Sequence, residues 1–474
     1  MTTYYVKTDG DDEADGLSWA NAWATVNKAA TTATGGDTVI YADGTYTLGS
    51  GQQSWNVGLD NNIITHQAQN SRQAIWANSA DTSGQAGAVH MSNVSYVTLE
   101  GIGVHSGGYY VYYLVYLTGD SHHIEFNDVY CYSGADSHGM ALRHCHAILV
   151  DGCLIDPQST TYGAREGIAI GGATTQASDI TIQDTEISQT SHGGIAIRQC
   201  DGVVIDNCHI HDTSSHNIIL DTEGSSGIYV DDVEIKNCDL EDSGLWVSDD
   251  PPTWNKNGIY CCENAMNIEI HHNDFHDHGL AALFVSSKAD GPIYFYNNTA
   301  YNCNLNDVEW VGDGYGYVHF YYDEAQTPYL YVKNNIFYVT NQPRCRVLQV
   351  TDSALTAYFD ADYNLYYVVS SEDQRIRIDS DDYTTLQSYL DDGYEPHTVI
   401  NDDPDFVDAG SEDFHLLASS PAIDEGVDLG YPYHGTAPDI GAHEYLVEGV
   451  AVAGEVTPTG AVVKRVGKVL GGMV

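Results

Sequence analysis

The sequence predicts an all-β chain folded as a right-handed parallel β-helix, and three observations support this prediction. A short pattern recurs ten times between Val97 and about Tyr366: two apolar residues flanking a variable one, followed by two turn-like residues. Successive copies start 23 to 37 residues apart, so a constant core alternates with loops of variable length. The sixth residue is similar from copy to copy, which indicates coils stacked directly on one another. Parallel crossovers are almost always right-handed, which sets the predicted handedness.

The copies begin at Val97, Ile124, Ile148, Ile180, Val203, Val233, Ile268, Ile293, Leu330 and Ala357. Their sixth positions, from the second copy onward, hold Val129, Cys153, Thr185, Cys208, Cys238, Asn273, Asn298 and Asn335. Stacked asparagine amides can hydrogen-bond along an axis of stacked strands. We therefore expect these side chains to form one internal column.

Residues 1–48 are predicted to cap the first coil. Their alanine-rich segment places Trp23, Val26 and Ala30 on one face of a helix that we expect to end at the glycine pair 35–36. Such a cap protects the end of the stack, because an open strand edge invites aggregation. Residues 49–380 are predicted to form the β-helix itself, beginning with one or two irregular coils.

Residues 381–445 are predicted to cap the other end. They contain TTLQSYL, NDDPDF, SSPAIDEG and DIGAHEY. Together with the coils and the N-terminal segment, these motifs resemble a group of surface-attached proteins with the pectate-lyase-like β-helix fold. The resemblance implies the fold over almost all of residues 1–445 but leaves activity open, because that group includes lyases, epimerases and binding proteins. His397, Asp403 and Asp424 belong to the shared signature and are predicted to be structural.

The charge of the chain is extreme, with 67 acidic and 17 basic residues and a formal net charge of −50. Such a surface disfavours nucleic acid and anionic membranes as partners. Its simplest explanation is a solvated acidic surface suited to a salty habitat, and Ca²⁺ sites are the alternative. We expect no membrane insertion, because no apolar run is long enough to span a bilayer, and no secretory signal at Met1. The ten cysteines follow no disulfide spacing and are predicted to be buried thiols.

Aligning the strands GMALRHC, EGIAIGG, GGIAIRQC and SGIYVDD places Arg143 and Arg198 in one column, with Gly171 between them and Asp231 after them. Beside this column we expect a mixture of basic, imidazole and acidic groups: His138, Arg165, Glu166 and His192, followed by Asp221 and Glu223. The resemblance implies a long groove for acidic polysaccharides, in which carboxylates hold Ca²⁺ and an Arg or Lys removes a proton. The candidate catalytic residues are therefore Arg143, Glu166, Arg198, His138 and His192. The alternative is that these arginines only pair with neighbouring acids.

Aromatic residues suggest a second way to contact sugars. Three long insertions interrupt the repeat, and two of them carry Trp246, Trp254 and Trp310. Insertions of a solenoid often lie on its binding side, so these tryptophans, with Asp221 and Asp231, are candidate substrate-binding residues. The 35 tyrosines can provide further stacking surfaces, although aromatic residues are common in strands anyway.

Residues 446–474 differ from the rest of the chain. They lack Asp, Asn, Tyr and His, and three basic against two acidic residues make them +1, which leaves −51 for the rest. Their TPTGAVVKRVGKVLGG segment resembles a short repeat of bacteriophage structural proteins. The predicted docking residues are Val462, Val463, Lys464, Arg465 and Lys468. The alternative is one more strand of the C-terminal cap.

Two functions follow from these features. The first is a virion-surface or tail-associated β-helix that engages host-surface glycans and docks on other virion or surface-assembly proteins through residues 446–474. The second is an extracellular or cell-surface polysaccharide lyase or hydrolase acting on acidic polysaccharide. We favour the first and leave open whether the rods form homo-oligomers.

Overall fold

In the computed structural model the strands form three long sheets, and successive coils supply neighbouring strands. The structure describes residues 1–48, 55–59, 62–79, 87–109, 111–133, 137–158, 165–172, 176–222, 227–244, 256–303, 305, 316–322, 328–340, 346–369 and 375–446. Parallel neighbours lie about 4.8 Å apart, so the thirteen described strands of the first sheet extend over about 58 Å. The right-handed parallel β-helix predicted from the repeat is confirmed.

The first sheet contains the recurring sequence pattern and forms one side of the core. Its strands alternate between buried and partly exposed residues, as period-two patterning requires. They are Thr3–Val6, Thr38–Tyr41, Ile64–Ala68, Ser95–Glu100, Ser121–Asn127, Cys145–Asp151, Ala177–Gln183, Cys200–Asp206, Val230–Lys236, Ala265–His271, Ile293–Tyr296, Leu330–Lys333 and Phe359–Asp362.

The second sheet follows the first after a tight corner in most coils. Its described strands are Gly44–Leu48, Ala74–Asn78, Ile102–His105, Tyr130–Tyr132, Leu154–Asp156, Glu186–Ile187, His209–Ile210, Asp239–Glu241, Asp274–His276, Thr299–Tyr301, Ile336–Val339, Leu365–Val368 and Val399–Ile400. The side chains of its short strands alternate between the interior and the outer face.

The third sheet closes each coil and is parallel except for its last strand. Its described strands are Gly87–Ser92, Tyr113–Thr118, His138–Leu142, Ile168–Ile170, Ile195–Ile197, Ile218–Leu220, Ile259–Cys261, Leu283–Ser286, Gly316–Tyr321, Arg346–Val350, Arg375–Ile378 and Asp381–Tyr383. Helices are few: α1 (Val26–Thr32), α2 (Ser353–Thr356) and α3 (Leu386–Asp391), with 3-10 turns at Trp19–Asn21 and Ala409–Ser411. No described helix is long and apolar enough to cross a membrane.

The register of the first sheet matches nine of the ten predicted copies, from Val97 to Leu330. The tenth prediction is wrong by two residues, because Leu330 pairs with Phe359 rather than Ala357. Ala357 is instead the C-cap of α2 and has helical backbone angles. A helical turn inserted just before the strand therefore delays its start.

The corner between the first and second sheets explains the turn-like residues of the repeat. The residue that opens the corner has a positive φ in nearly every described coil, as at Asp128, Asn207, Asn237, Asn297 and Asn334. Asn and Asp tolerate this left-handed conformation better than most residues with a side chain. The residue that follows each of them points inward, which creates the predicted column.

The internal column is confirmed and extends one coil further than predicted, to Asn364. Asn273 Nδ2 donates to Asn298 Oδ1 at 3.0 Å, and Asn298 repeats this contact with Asn335 at 3.1 Å. The same oxygens accept the backbone N–H of the preceding coil, while each amide also donates to a backbone carbonyl. Cys153, Cys208 and Cys238 occupy the earlier positions as buried free thiols. The column therefore satisfies buried polar groups along the axis.

At the N-terminal end, α1 packs on the first coils. Trp23, Val26 and Ala30 are buried as predicted. The prediction that all three lie on the helix is wrong for Trp23, which precedes α1 and forms a parallel bridge with Val6. The helix ends at Thr32, three residues before the glycine pair expected to stop it. Strand Thr3–Val6 already pairs with Thr38–Tyr41, so the first coil begins inside this N-terminal region.

At the C-terminal end, Glu395 terminates the asparagine column. Its carboxylate, 3% exposed, accepts hydrogen bonds from Asn364, Tyr366, Tyr389 and Thr398. Burial raises its pKa above the ordinary value. The last coil is thus closed by a buried polar group with satisfied oxygens.

The segment after the hairpin Phe406–Asp408 and Asp413–Leu416 runs back along the outer face of the second sheet. Gly441 N–H donates to Asn334 O, and His443 Nε2 contacts Asp274 Oδ2 at 2.7 Å. Asp424 accepts N–H groups from residues 436 and 437, which lower its pKa. His397 contacts Asp362 at 2.8 Å. Asp424 and His397, which belong to the C-terminal signature, therefore stabilise the local structure around them.

Replacing Asn298 with alanine should lower the free energy of unfolding by about 2–4 kcal/mol. The substitution leaves the buried Asn273 N–H without its partner and removes the hydrogen bonds from Asn298 to the Ile270 carbonyl and to Asn335. A buried unpaired donor costs about 1–3 kcal/mol, and each of the other lost hydrogen bonds costs about 0.5–1.5 kcal/mol. Equilibrium urea unfolding measures the effect. Asn237→Gly is the matched control, because this exposed corner residue has a positive φ and should change stability by less than about 1 kcal/mol. Equal effects of the two substitutions would contradict the proposed importance of the column.

Candidate functional site

The candidate site lies on the outer face of the third sheet, between the strands Tyr113–Thr118 and Ile218–Leu220. Three successive coils place Ala141, Ala169 and Ala196 at the same outward position. Their small side chains leave room for long side chains to lie across the strands. These three alanines form a floor that is fully buried beneath the larger side chains around it.

The predicted arginine column is present beside this floor. The backbone N–H groups of Arg143, Gly171 and Arg198 each donate to the preceding coil at equivalent positions. Gly171 has a φ of +64°, and a Cβ there would lie 2.0 Å from Gln199 O. A glycine is thus required between the two arginines, and it leaves the space between them open.

The predicted continuation of this column at Asp231 is wrong, and Asp221 takes that position. Asp221 N–H donates to Ile197 O, and Ile218–Leu220 is the third-sheet strand of this coil. Asp231 lies in the first sheet and pairs with Asp201. The SGIYVDD segment resembles a third-sheet strand because it has the same glycine-apolar start, but it leads directly into the first sheet.

Glu166 is the centre of the cluster and is 1% exposed. Its Oε2 lies 2.6 Å from His138 Nδ1, and its Oε1 lies 2.6 Å from Arg198 Nη2. His192 Nδ1 is 3.6 Å from Oε1. Four of the five predicted catalytic residues therefore meet around one buried carboxylate.

His138 has a donor at each ring nitrogen. Arg165 Nη1 lies 3.3 Å from His138 Nε2, and a guanidinium group can only donate. The Glu166 backbone N–H donates to His138 Nδ1 at 3.1 Å, and the Glu166 carboxylate lies 2.6 Å from the same nitrogen. A relay of polar contacts therefore runs from Arg165 through His138 and Glu166 to Arg198.

Glu166 is held ionised in this relay. Burial opposes its charge, but the contacts with His138 and His192 and the charge of Arg198 hold its pKa well below the ordinary value. A carboxyl group with such a low pKa is a poor general acid near neutral pH. Glu166 is therefore better suited to position His138 and Arg198 than to transfer a proton.

Arg143 and Arg165 lie against tyrosine rings at the edge of the cluster. The Arg165 guanidinium is 4.9 Å from the ring centre of Tyr112, and that of Arg143 is 5.8 Å from Tyr113. Burial raises the pKa of Tyr113 to about 12. Arg143 Nε is buried and makes no hydrogen bond within the described part of the chain. The sequence places Arg165 beside the column, and Tyr112 and Tyr113 belong to the tyrosine-rich run 109–113, which it offers as an aromatic surface for sugars.

The cluster does not fit the Ca²⁺ site that the resemblance implies. Ca²⁺ takes six to eight oxygen ligands, mostly from carboxylates and carbonyls. Both Glu166 oxygens are already bound by His138 and Arg198, and the described surroundings contain Arg143 and Arg165. A carboxylate whose oxygens are already bound, in a cluster that contains three guanidinium groups, favours an anion instead.

Other predicted site residues are not brought together here. Trp246, Trp254 and Trp310 lie outside the described residues, as do Val462, Val463, Lys464, Arg465 and Lys468. Asp231 lies in the first sheet, where it accepts a hydrogen bond from Asn267 Nδ2 at 2.8 Å. Asp221 borders the arginine cluster one coil further along.

Comparisons with known proteins agree with this architecture. A family model described as a right handed beta helix region matches residues 113–305. The crystal structure of pectate lyase Pel9A is 18% identical with a TM-score of 0.54, over 94% of this chain and 96% of that chain. A mannuronic acid specific polysaccharide family 6 lyase from human gut microbiota is 14% identical with a TM-score of 0.50, over 87% and 93%. A search of curated proteins finds no match. The chain therefore has the pectate-lyase-like, right-handed parallel β-helix fold.

Proposed function

We propose that the protein binds an acidic polysaccharide across the third sheet, with the arginine cluster of Arg143, Arg165 and Arg198 as its uronate site. The observation that carries this proposal is three guanidinium groups in one cluster, with Arg198 on Glu166, Arg165 on His138 and Arg143 against Tyr113. The chain has only 17 basic residues against 67 acidic ones. A cluster of arginines in so acidic a chain is a place where an anion can bind.

The residues of the site divide into two roles. Arg143 can direct its guanidinium fork at a sugar carboxylate, because planar arginine pairs with carboxylates through two parallel hydrogen bonds. Glu166 and His138 hold Arg198 and Arg165 in place through the relay. Tyr112 offers an aromatic surface beside Arg165, against which a sugar ring can pack.

Cleavage of the bound polymer is the second candidate function. His192 supports it, because its side chain is 22% exposed and lies next to Glu166. An imidazole in this position can accept a proton from a bound uronate, and the adjacent arginines can stabilise the charge that develops on the carboxylate. This makes elimination by a lyase more consistent with the site than hydrolysis, which uses a pair of carboxylates.

Replacing Arg143 with alanine should weaken binding of a uronic-acid polymer by about 10- to 100-fold, because a hydrogen bond to a charged partner contributes about 1.5–3 kcal/mol. Isothermal titration with polymers of galacturonic, mannuronic and glucuronic acid measures binding, and ultraviolet absorbance of unsaturated products measures cleavage. The variant should melt close to the wild-type temperature.

Arg72→Ala is the matched control, because Arg72 pairs with Asp128 outside the cluster. This variant should bind the polymer as the wild type does. Absence of wild-type binding to every polymer, or equal losses in the two variants, would contradict the proposed site.

We further propose that this rod is a virion-surface or tail-associated protein that faces a host glycan and docks through residues 446–474. The proposal rests on sequence: the composition changes after Tyr445, and three basic residues lie between positions 464 and 468. A rod with a net charge of −51 repels its own copies, so an apolar, mildly basic peptide is a suitable place for attachment. An alternating segment of this kind can add as a strand to a partner sheet.

Deleting residues 447–474 should leave a folded, monomeric rod that no longer assembles or docks. Circular dichroism and analytical ultracentrifugation of the full-length and shortened chains measure folding and association. If the truncated rod is unfolded, or if it still assembles like the full chain, residues 446–474 are part of the C-terminal cap instead.

A further inference from the structure

A second cluster of polar side chains lies on the outer face of the second sheet, away from the arginine cluster. Two outward positions run along this sheet from coil to coil. Register places Glu186, His209 and Asp239 at one of them. The other, two residues further along each coil, holds His211 and Glu241. Histidine and carboxylate side chains from three successive coils therefore share one surface.

The ligand atoms of His209, His211 and Glu241 lie within 4.8 Å of one another. The two imidazole rings stack with their centres 4.3 Å apart, and His209 Nε2 lies 2.6 Å from Glu241 Oε1. Residues i and i+2 of a strand face the same side, which is why His209 and His211 meet. Zinc–nitrogen bonds of about 2.0–2.1 Å put tetrahedral ligand atoms about 3.3 Å apart, so small side-chain rotations bring these atoms together.

An independent observation is the orientation of His211. Its Nδ1 lies 3.0 Å from Asp212 Oδ2, while its Nε2 faces Glu186 Oε1 at 3.5 Å. A carboxylate that accepts the Nδ1 proton leaves the lone pair on Nε2, and this outer contact accompanies most metal-binding histidines. His211 is thus held with Nε2 directed toward the other ligand atoms.

The site is open to solvent on one side and closed on the other. His209 is 39% exposed and Glu241 is 16% exposed, so an ion can reach them. One coil further, His276 is fully buried and contacts Phe414 of the C-terminal hairpin. His276 Nδ1 also lies 3.6 Å from Glu241 Oε2, which restrains the carboxylate from behind.

We propose that His209, His211 and Glu241 bind a divalent transition-metal ion such as Zn²⁺, with Glu186 as a fourth ligand. Two imidazoles with carboxylates suit Zn²⁺ and its neighbours, whereas Ca²⁺ and Mg²⁺ prefer oxygen ligands alone. The ion joins three successive coils, those of Glu186, of His209 and His211, and of Glu241. It acts as a cross-link along the rod and is separate from the glycan site on the third sheet.

Titration of the full chain with Zn²⁺ alone tests this proposal. The wild type should bind one more equivalent of Zn²⁺ than the double variant His209→Gln/His211→Gln. Co²⁺ in place of Zn²⁺ should give visible absorption bands of a tetrahedral site in the wild type, and this variant should lose them. Asp212→Asn should keep the site but weaken its affinity about 10- to 100-fold, as is usual for outer contacts of metal ligands.

The control variant His144→Gln/His397→Gln removes two histidines that are exposed and outside this cluster. It should retain the full Zn²⁺ stoichiometry and the Co²⁺ spectrum. Should the double variant fail to fold, Asp212→Asn against this control decides the question. Equal Zn²⁺ binding by wild type, double variant and Asp212→Asn would overturn the proposal, and His209 and Glu241 would then be an ordinary ion pair.

Discussion

The stacking of equivalent positions from coil to coil is the constraint on which the rest of this structure depends. The backbone hydrogen bonds of parallel strands hold neighbouring coils about 4.8 Å apart, and the asparagine column adds side-chain hydrogen bonds along the same axis. A shift of one residue in any coil would turn its inward side chains outward. The fixed corner residue with a positive φ prevents that shift, because it sets where each second-sheet strand begins. Both candidate sites exist because this register brings distant parts of the chain to adjacent coils.

The same constraint explains what the sequence could predict. Positions that repeat in every coil can be identified from the sequence. The column from Cys153 to Asn335 and the alignment of Arg143, Gly171 and Arg198 were therefore predicted without a structure. Asp231 was misplaced because the segment before the first-sheet strand Val230–Lys236 has the glycine-apolar start of a third-sheet strand, whereas the actual third-sheet strand, Ile218–Leu220, follows Asn217. The start at Phe359 was missed because α2 interrupts the repeat. The hydrogen-bond relay around Glu166 depends on side-chain directions, which residue spacing does not specify.

The net charge of the chain affects how an anion can reach the arginine cluster. A rod with a net charge of −50 repels polyanions at a distance, but at physiological ionic strength charges are screened beyond about 8 Å. The local arrangement of guanidinium groups therefore decides whether a uronate binds. Glu166 serves this arrangement by staying ionised and fixing Arg198, while the buried alanine floor gives long side chains room to lie across several coils. On the second sheet, the opposite arrangement of histidines and carboxylates suits a cation.

The central claim is that the third sheet binds an acidic glycan through the arginine cluster. A crystal structure of the full chain soaked with an oligouronate tests it most directly. The account predicts a sugar carboxylate within hydrogen-bond distance of the Arg143 guanidinium, with the chain lying across the strands that carry Ala141 and Ala169. An oligosaccharide bound instead on the tyrosines of the first sheet, such as the stacked pair Tyr294 and Tyr331, would contradict it.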